Sequence, residues 1–127
     1  MRRLILLILL VTRPAFAFDY QLTFEQTCKY NQKSFPCERS DEQETIRDMG
    51  GKWVGVRKDG SIFDLRLIKN DDNVLIFEYP VLWSGASVIY LMKKTGRFYW
   101  SEISYSDSLK TDDGRVNVGR ITIKKQR

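Results

Sequence analysis

The chain has 127 residues, with 21 Lys and Arg, 16 Asp and Glu, two Cys and no His. That is one domain's worth of sequence, and it excludes any mechanism built on a histidine base or ligand. The formal charge of +5 leans on Arg2, Arg3 and Arg13; beyond Ala17 the count is 18 basic to 16 acidic residues, which gives no electrostatic reason to expect nucleic acid as a partner.

Met1-Arg2-Arg3 is a short positive region, Leu4 to Val11 is an aliphatic run, and Pro14-Ala15-Phe16-Ala17 carries small residues at both key positions of an A-x-A site. This pattern predicts a secretory signal peptide over residues 1–17, cleaved before Phe18, and a single β-rich domain over residues 18–127. The alternatives are a buried helix or an uncleaved anchor, but the aliphatic run is under half of the roughly 20 residues that cross a bilayer. No Cys follows the cleavage site, so no lipid anchor is expected. The later sequence has no apolar run long enough to span. The expected product is therefore exported, periplasmic or secreted, with no transmembrane segment after cleavage, and monomeric.

From Tyr20 to Tyr30 polar and apolar residues alternate, with Tyr20, Leu22, Phe24, Gln26, Cys28 and Tyr30 on one face. Period two predicts a half-buried strand. With Asn31 to Ser34 as a hairpin loop, Tyr30 lies opposite Phe35 and Cys28 opposite Cys37. In an oxidising compartment that pair predicts a disulfide. The eight intervening residues and the missing His argue against a redox or metal site.

Arg39 to Met49 is polar. Ser40 followed by Gln43 has the form of a capping box, and Gly50-Gly51 reads as a stop. A short helix near 41–49 is predicted, with a solvated loop as the alternative.

After Gly51 the sequence reads as strands and tight turns. Lys52 to Lys58 is a strand closed by Asp59-Gly60, a two-residue hairpin signal. Ser61 to Lys69 follows, with Phe63, Leu65 and Leu67 on one face. Asn70 to Asn73 is a turn by composition. Val74 to Trp83 is a strand in which Pro80 predicts an edge position or a bulge. Ser87 to Lys93, Arg97 to Tyr105 and Val116 to Lys124 complete the set, with a bulge expected at Gly119. The expected fold is mainly β: a small antiparallel meander, curled sheet or up-and-down barrel of about eight short strands. An outer-membrane barrel is disfavoured, because the strands are short and the outward faces carry charges such as Asp64 and Arg66.

Few residues suggest chemistry. Glu78, Glu102 and Asp64 are the acids within strands, and a paired-carboxylate hydrolase needs two such groups across a cleft; an acid in a strand more often faces solvent. Asp71-Asp72 and Asp112-Asp113-Gly114 gather oxygen donors without the spacing of a calcium loop, and Asp in turns needs no further reason. No cofactor, metal or catalytic residue is expected.

Leu91-Met92-Lys93-Lys94-Thr95-Gly96-Arg97-Phe98-Tyr99-Trp100 resembles the strand-Thr-Gly-strand-Trp element of quinoprotein-type β-propeller blades. The resemblance covers only these ten residues, and Met92 and Lys93 stand where such blades usually carry Leu-Asp. The residues left after cleavage are too few for four or more blades. It implies a hairpin closed by a left-handed Gly96, and no function.

Two surfaces remain. A basic patch is formed by Lys93, Lys94 and Arg97 at one hairpin tip and by Arg120, Lys124, Lys125 and Arg127 near the C-terminus. Beside Phe98, Tyr99 and Trp100 it suits an envelope polyanion, although such cations also guard hairpin tips and edge strands from pairing. An apolar rim is suggested by Tyr79, Val81, Leu82 and Trp83, joined by Trp53, because loops ordinarily stay polar. A strand end folded inward is the alternative. The function expected is non-catalytic binding of a partner protein, an envelope component or a small apolar ligand; the alternative is a small carboxylate-dependent hydrolase.

Overall fold

A computed structural model describes residues 18–30, 34–79, 84–107 and 110–125. The predicted signal peptide, most of the first hairpin loop and the segment holding Val81, Leu82 and Trp83 lie outside these residues. The described chain is all β, with nine strands: β1 (Phe18–Tyr30), β2 (Cys37–Arg39), β3 (Gln43–Asp48), β4 (Trp53–Val56), β5 (Ile62–Asn70), β6 (Val74–Tyr79), β7 (Ser84–Met92), β8 (Arg97–Ser106) and β9 (Thr111–Lys125).

All neighbours pair antiparallel in chain order from β3 to β9, and β9 returns to pair with β1 from Phe18↔Lys125 to Tyr30↔Gly114. The result is a closed eight-stranded up-and-down barrel with one extra strand. The extra strand is β2, which pairs with the far half of β1 at Gln26 to Cys28, while β3 pairs with the near half at Asp19 to Thr23. Cys28 and Cys37 are direct cross-strand partners and form a disulfide. Tyr30 and Phe35 bring their rings to 6.4 Å beside it.

The helix expected near 41–49 is a strand instead. Two physical reasons account for this. Ser40 Oγ accepts the N–H of Glu42, which turns the chain rather than starting a helix. Gly50 and Gly51 both have positive φ and close a hairpin in which Met49 N–H donates to the Lys52 carbonyl, so the pair joins β3 to β4. Along β3 Glu44 and Ile46 then face inward beside Leu22 and Tyr20.

Other boundaries also shift. The Asp59-Gly60 hairpin has three loop residues, Lys58 to Gly60, since Arg57 N–H donates to the Ser61 carbonyl. Strand β6 ends at Tyr79 and is paired on both sides, so no edge strand lies there. The bulge expected at Gly119 is on its partner: the β1–β9 register shifts between Phe24 and Gln26, leaving Glu25 as the extra residue. Gly119 itself is where the strands come closest; a Cβ there would meet the Thr23 carbonyl oxygen at 2.0 Å. A second irregularity falls at Ile68, between Leu67 and Lys69, and Leu67 is left exposed rather than sharing the buried face of Phe63 and Leu65.

The bulge at Glu25 decides what the barrel interior contains. Before it, Leu22 and Phe24 face inward and are buried. After it the parity reverses, so Thr27 and Lys29 face inward opposite Asn117 and Arg115. Cys28 and Tyr30 therefore lie on the outer side, with Cys28 covered in the disulfide. The core fills the rest of the interior with Leu22, Phe24, Ile46, Trp53, Phe63, Leu65, Leu75, Phe77, Ile89, Leu91, Phe98 and Trp100. Phe63 lies over Gly55, where any side chain would collide with its ring.

Candidate functional site

The core does not reach both ends of the barrel. At the end marked by the β1–β2 hairpin and the Arg57–Ser61 turn, the interior opens into a cavity of about 440 Å³. Its floor is aromatic, because Phe24 and Trp100 belong both to the core and to the cavity lining. Trp100 is fixed there by its indole N–H, which donates to Ser87 Oγ at 2.6 Å. Tyr79 stands on the wall, edge-on to Phe63 at 4.9 Å.

Around these rings the lining is charged. The cations are Lys29, Arg39, Arg57 and Arg115; the acids are Glu38, Asp41, Glu42, Glu44 and Glu102. Glu102 and Arg115 are direct cross-strand neighbours. Among the described residues, none of these nine side chains forms an ion pair, whereas six ion pairs occur elsewhere. The Arg57 guanidinium is held in place: it lies 4.5 Å from the centre of the Phe63 ring and donates to Tyr79 Oη at 3.4 Å. Thr27 Oγ1 donates to Asn117 Oδ1 at 2.8 Å, deep in the same wall.

Glu44 is the most perturbed of the group. Its Oε2 is buried and has no hydrogen-bond partner among the described residues. Desolvation pushes its pKa up to about 7, the nearby Arg57 opposes the rise, and the negative charges of Glu42 and Glu102 add to it.

Of the apolar rim expected from the sequence, Tyr79 lines this cavity. Trp53 does not, being buried in the core at the other end of the barrel against Phe77 and Tyr20. Val81, Leu82 and Trp83 are outside the described residues. The described part of the basic patch is at the end away from the cavity, and Arg127 lies outside the described residues. Lys93 Nζ donates to Asn70 Oδ1 and the Asp71 carbonyl, and Arg97 and Arg120 share Glu25. Lys94 is exposed on the tip, and Lys124 and Lys125 pair in register with Asp19 and Phe18. The three aromatics beside the patch separate: Phe98 and Trp100 point into the barrel and only Tyr99 faces out. Gly96 has φ of 68°, as the propeller-like hairpin implies.

The strand acids also divide. Asp64 and Glu78 face outward in ion pairs with Lys52 and Arg66, and Glu102 faces the cavity. Asp71 Oδ1 accepts the N–H groups of Asn73 and Val74, a turn role. Glu44, Arg57 and Arg115 were missed as site residues. The signal for Glu44 was its two-residue spacing from Ile46. No family model, curated protein or solved structure matches the chain, so the site is read from its own geometry.

Proposed function

We propose that the chain is an exported, non-catalytic binding domain whose ligand sits in the cavity at the hairpin end of the barrel. The observation that carries this reading is a ring of charges of both signs above an aromatic floor, none of them in an ion pair among the described residues. Of these charges only Glu44 and Glu102 are half-buried; the other seven are exposed at the cavity mouth, where a ligand carrying charge can pair with them. The volume falls in the range of small-molecule sites, roughly 300–1,000 Å³. A lining so rich in charge suits a polar ligand rather than an apolar one. Export is supported by the N-terminal pattern and is compatible with the disulfide.

A partner protein would have another surface, the outer wall where Tyr90 faces Tyr99 and Ile103 is exposed. Mapping amide shifts on adding small polar molecules tests between them. Changes centred on Phe24, Tyr79 and Trp100 support the cavity, and changes confined to the outer wall overturn it. Hydrolysis is the second reading, favoured by one observation: Glu44, raised towards neutrality, shares the cavity with Glu102, as a general acid beside a carboxylate would. Turnover of chromogenic glycosides that is lost in Glu44→Gln would establish it.

A further inference from the structure

We infer that the ligand is a free α-amino acid, its ammonium group held by Glu44 and its carboxylate by Arg57. This deepens the binding reading and rests on it. Three observations converge. The buried Oε2 of Glu44 lacks any donor among the described residues, and a buried acceptor without a donor is a standing deficit that an N–H group of a ligand removes. Arg57 is the cation that acts on Glu44, yet the two are not ion-paired; its guanidinium is oriented by Phe63 and Tyr79, the arrangement that favours two-pronged recognition of a carboxylate. The opposite charges are therefore close but separate, as the two ends of an α-amino acid are. Below them Trp100 and Phe24 offer an apolar floor to the ligand's side chain.

The charge on Glu44 makes the grip sensitive to pH. Glu42 before β3, Arg57 after β4 and Glu102 on β8 act on it, and Lys29, Glu38, Arg39, Asp41, Tyr79 and Arg115 share the cavity lining. In the empty cavity Glu44 is half protonated near neutrality, whereas pairing with an ammonium group requires the carboxylate. Binding then releases a proton, and affinity falls as pH drops below about 7.

The test uses the exported chain and four matched probes: L-phenylalanine, 3-phenylpropionate, which lacks the ammonium group, phenethylamine, which lacks the carboxylate, and glucose, which has neither. Amide shifts locate each probe and titration gives its affinity. L-Phenylalanine is expected to bind at least about tenfold more tightly than either half-molecule, since each charge-assisted contact contributes on that scale. Glu44→Gln should cost L-phenylalanine and phenethylamine about tenfold or more, spare 3-phenylpropionate, and abolish the pH dependence. Arg57→Gln should do the reverse, weakening L-phenylalanine and 3-phenylpropionate and sparing phenethylamine; native amide spectra show that each variant folds. If glucose or one half-molecule binds in the cavity as well as L-phenylalanine, the amino acid assignment is overturned and the cavity reading stands. If none of the probes at ~10 mM, a concentration that fills a millimolar site, shifts the lining residues, both are overturned.

Discussion

Ser87 is fully buried in the barrel wall, and its one hydroxyl accepts the Trp100 indole N–H. Without it the indole donor has no partner in a site that water does not reach. Ser87→Ala is expected to lower stability by ~1–3 kcal/mol in urea unfolding, the usual cost of orphaning a buried donor. Glu44 acts on stability in the opposite sense to most carboxylates. Its pKa is near 7 in the folded chain and near 4.5 when unfolded, so between those values the folded state holds more protons than the unfolded state. Stability therefore falls as pH rises from about 4.5 to about 7 and levels off above. Glu44→Gln should flatten that slope and raise stability at pH 8, by ~1 kcal/mol once solvent screening of a partly exposed group is allowed for. A melting temperature for Glu44→Gln that still falls across this window would show that another group carries the slope.

Strand β1 is the element that ties the architecture to the site. It pairs with β2 and β3 on one side and β9 on the other, and its bulge turns Thr27 and Lys29 into the cavity. The Cys28–Cys37 bond clips β2 to it. Replacing both cysteines by Ser is expected to lower stability by ~2–3 kcal/mol, because the closed loop is short, while leaving the β circular-dichroism signal in place. Complete loss of that signal would mean that the remaining barrel cannot fold without the clip. The β1–β2 hairpin and the meander after Gly51 were legible in the sequence, because alternation and turn residues agree there. Residues 41–49 were not. Ser40 and Gly50-Gly51 carry signals that a helix and a hairpin share, and only the unpaired edge of β1 selects the strand. The inward face of β1 was half legible: alternation gives Leu22 and Phe24, but a one-residue bulge reverses everything after Glu25 without altering the pattern. Glu102 was visible as a strand acid, yet its direction depends on barrel closure, which no local window contains.

At the scale of the whole molecule, the barrel's interior is packed with apolar side chains over most of its length and opens into a charge-lined cavity at one end. The basic patch lies on the outside at the opposite end, around the Lys93–Arg97 turn and the end of β9. The signal-peptide pattern of residues 1–17 predicts a mature protein that starts at Phe18, and the Cys28–Cys37 bond one that is two hydrogens lighter than its reduced form by intact mass. Retention of Met1, or two free thiols on alkylation without reductant, would contradict the predicted export and oxidation.

The long β1–β9 ladder has a kinetic consequence. These are the first and last strands, and they pair along nearly their full lengths, so the ring cannot close until the C-terminal segment has been synthesised. Loop-closure entropy between such distant partners has to be overcome before the ladder can stabilise anything. A growing chain of this kind stays open on the ribosome, however long synthesis pauses. If the chain is exported as its N-terminal pattern predicts, a membrane channel that threads only unfolded polypeptide would meet it in a form that can pass, and the fifteen residues of β9, Thr111–Lys125, would be the latch that closes the barrel afterwards.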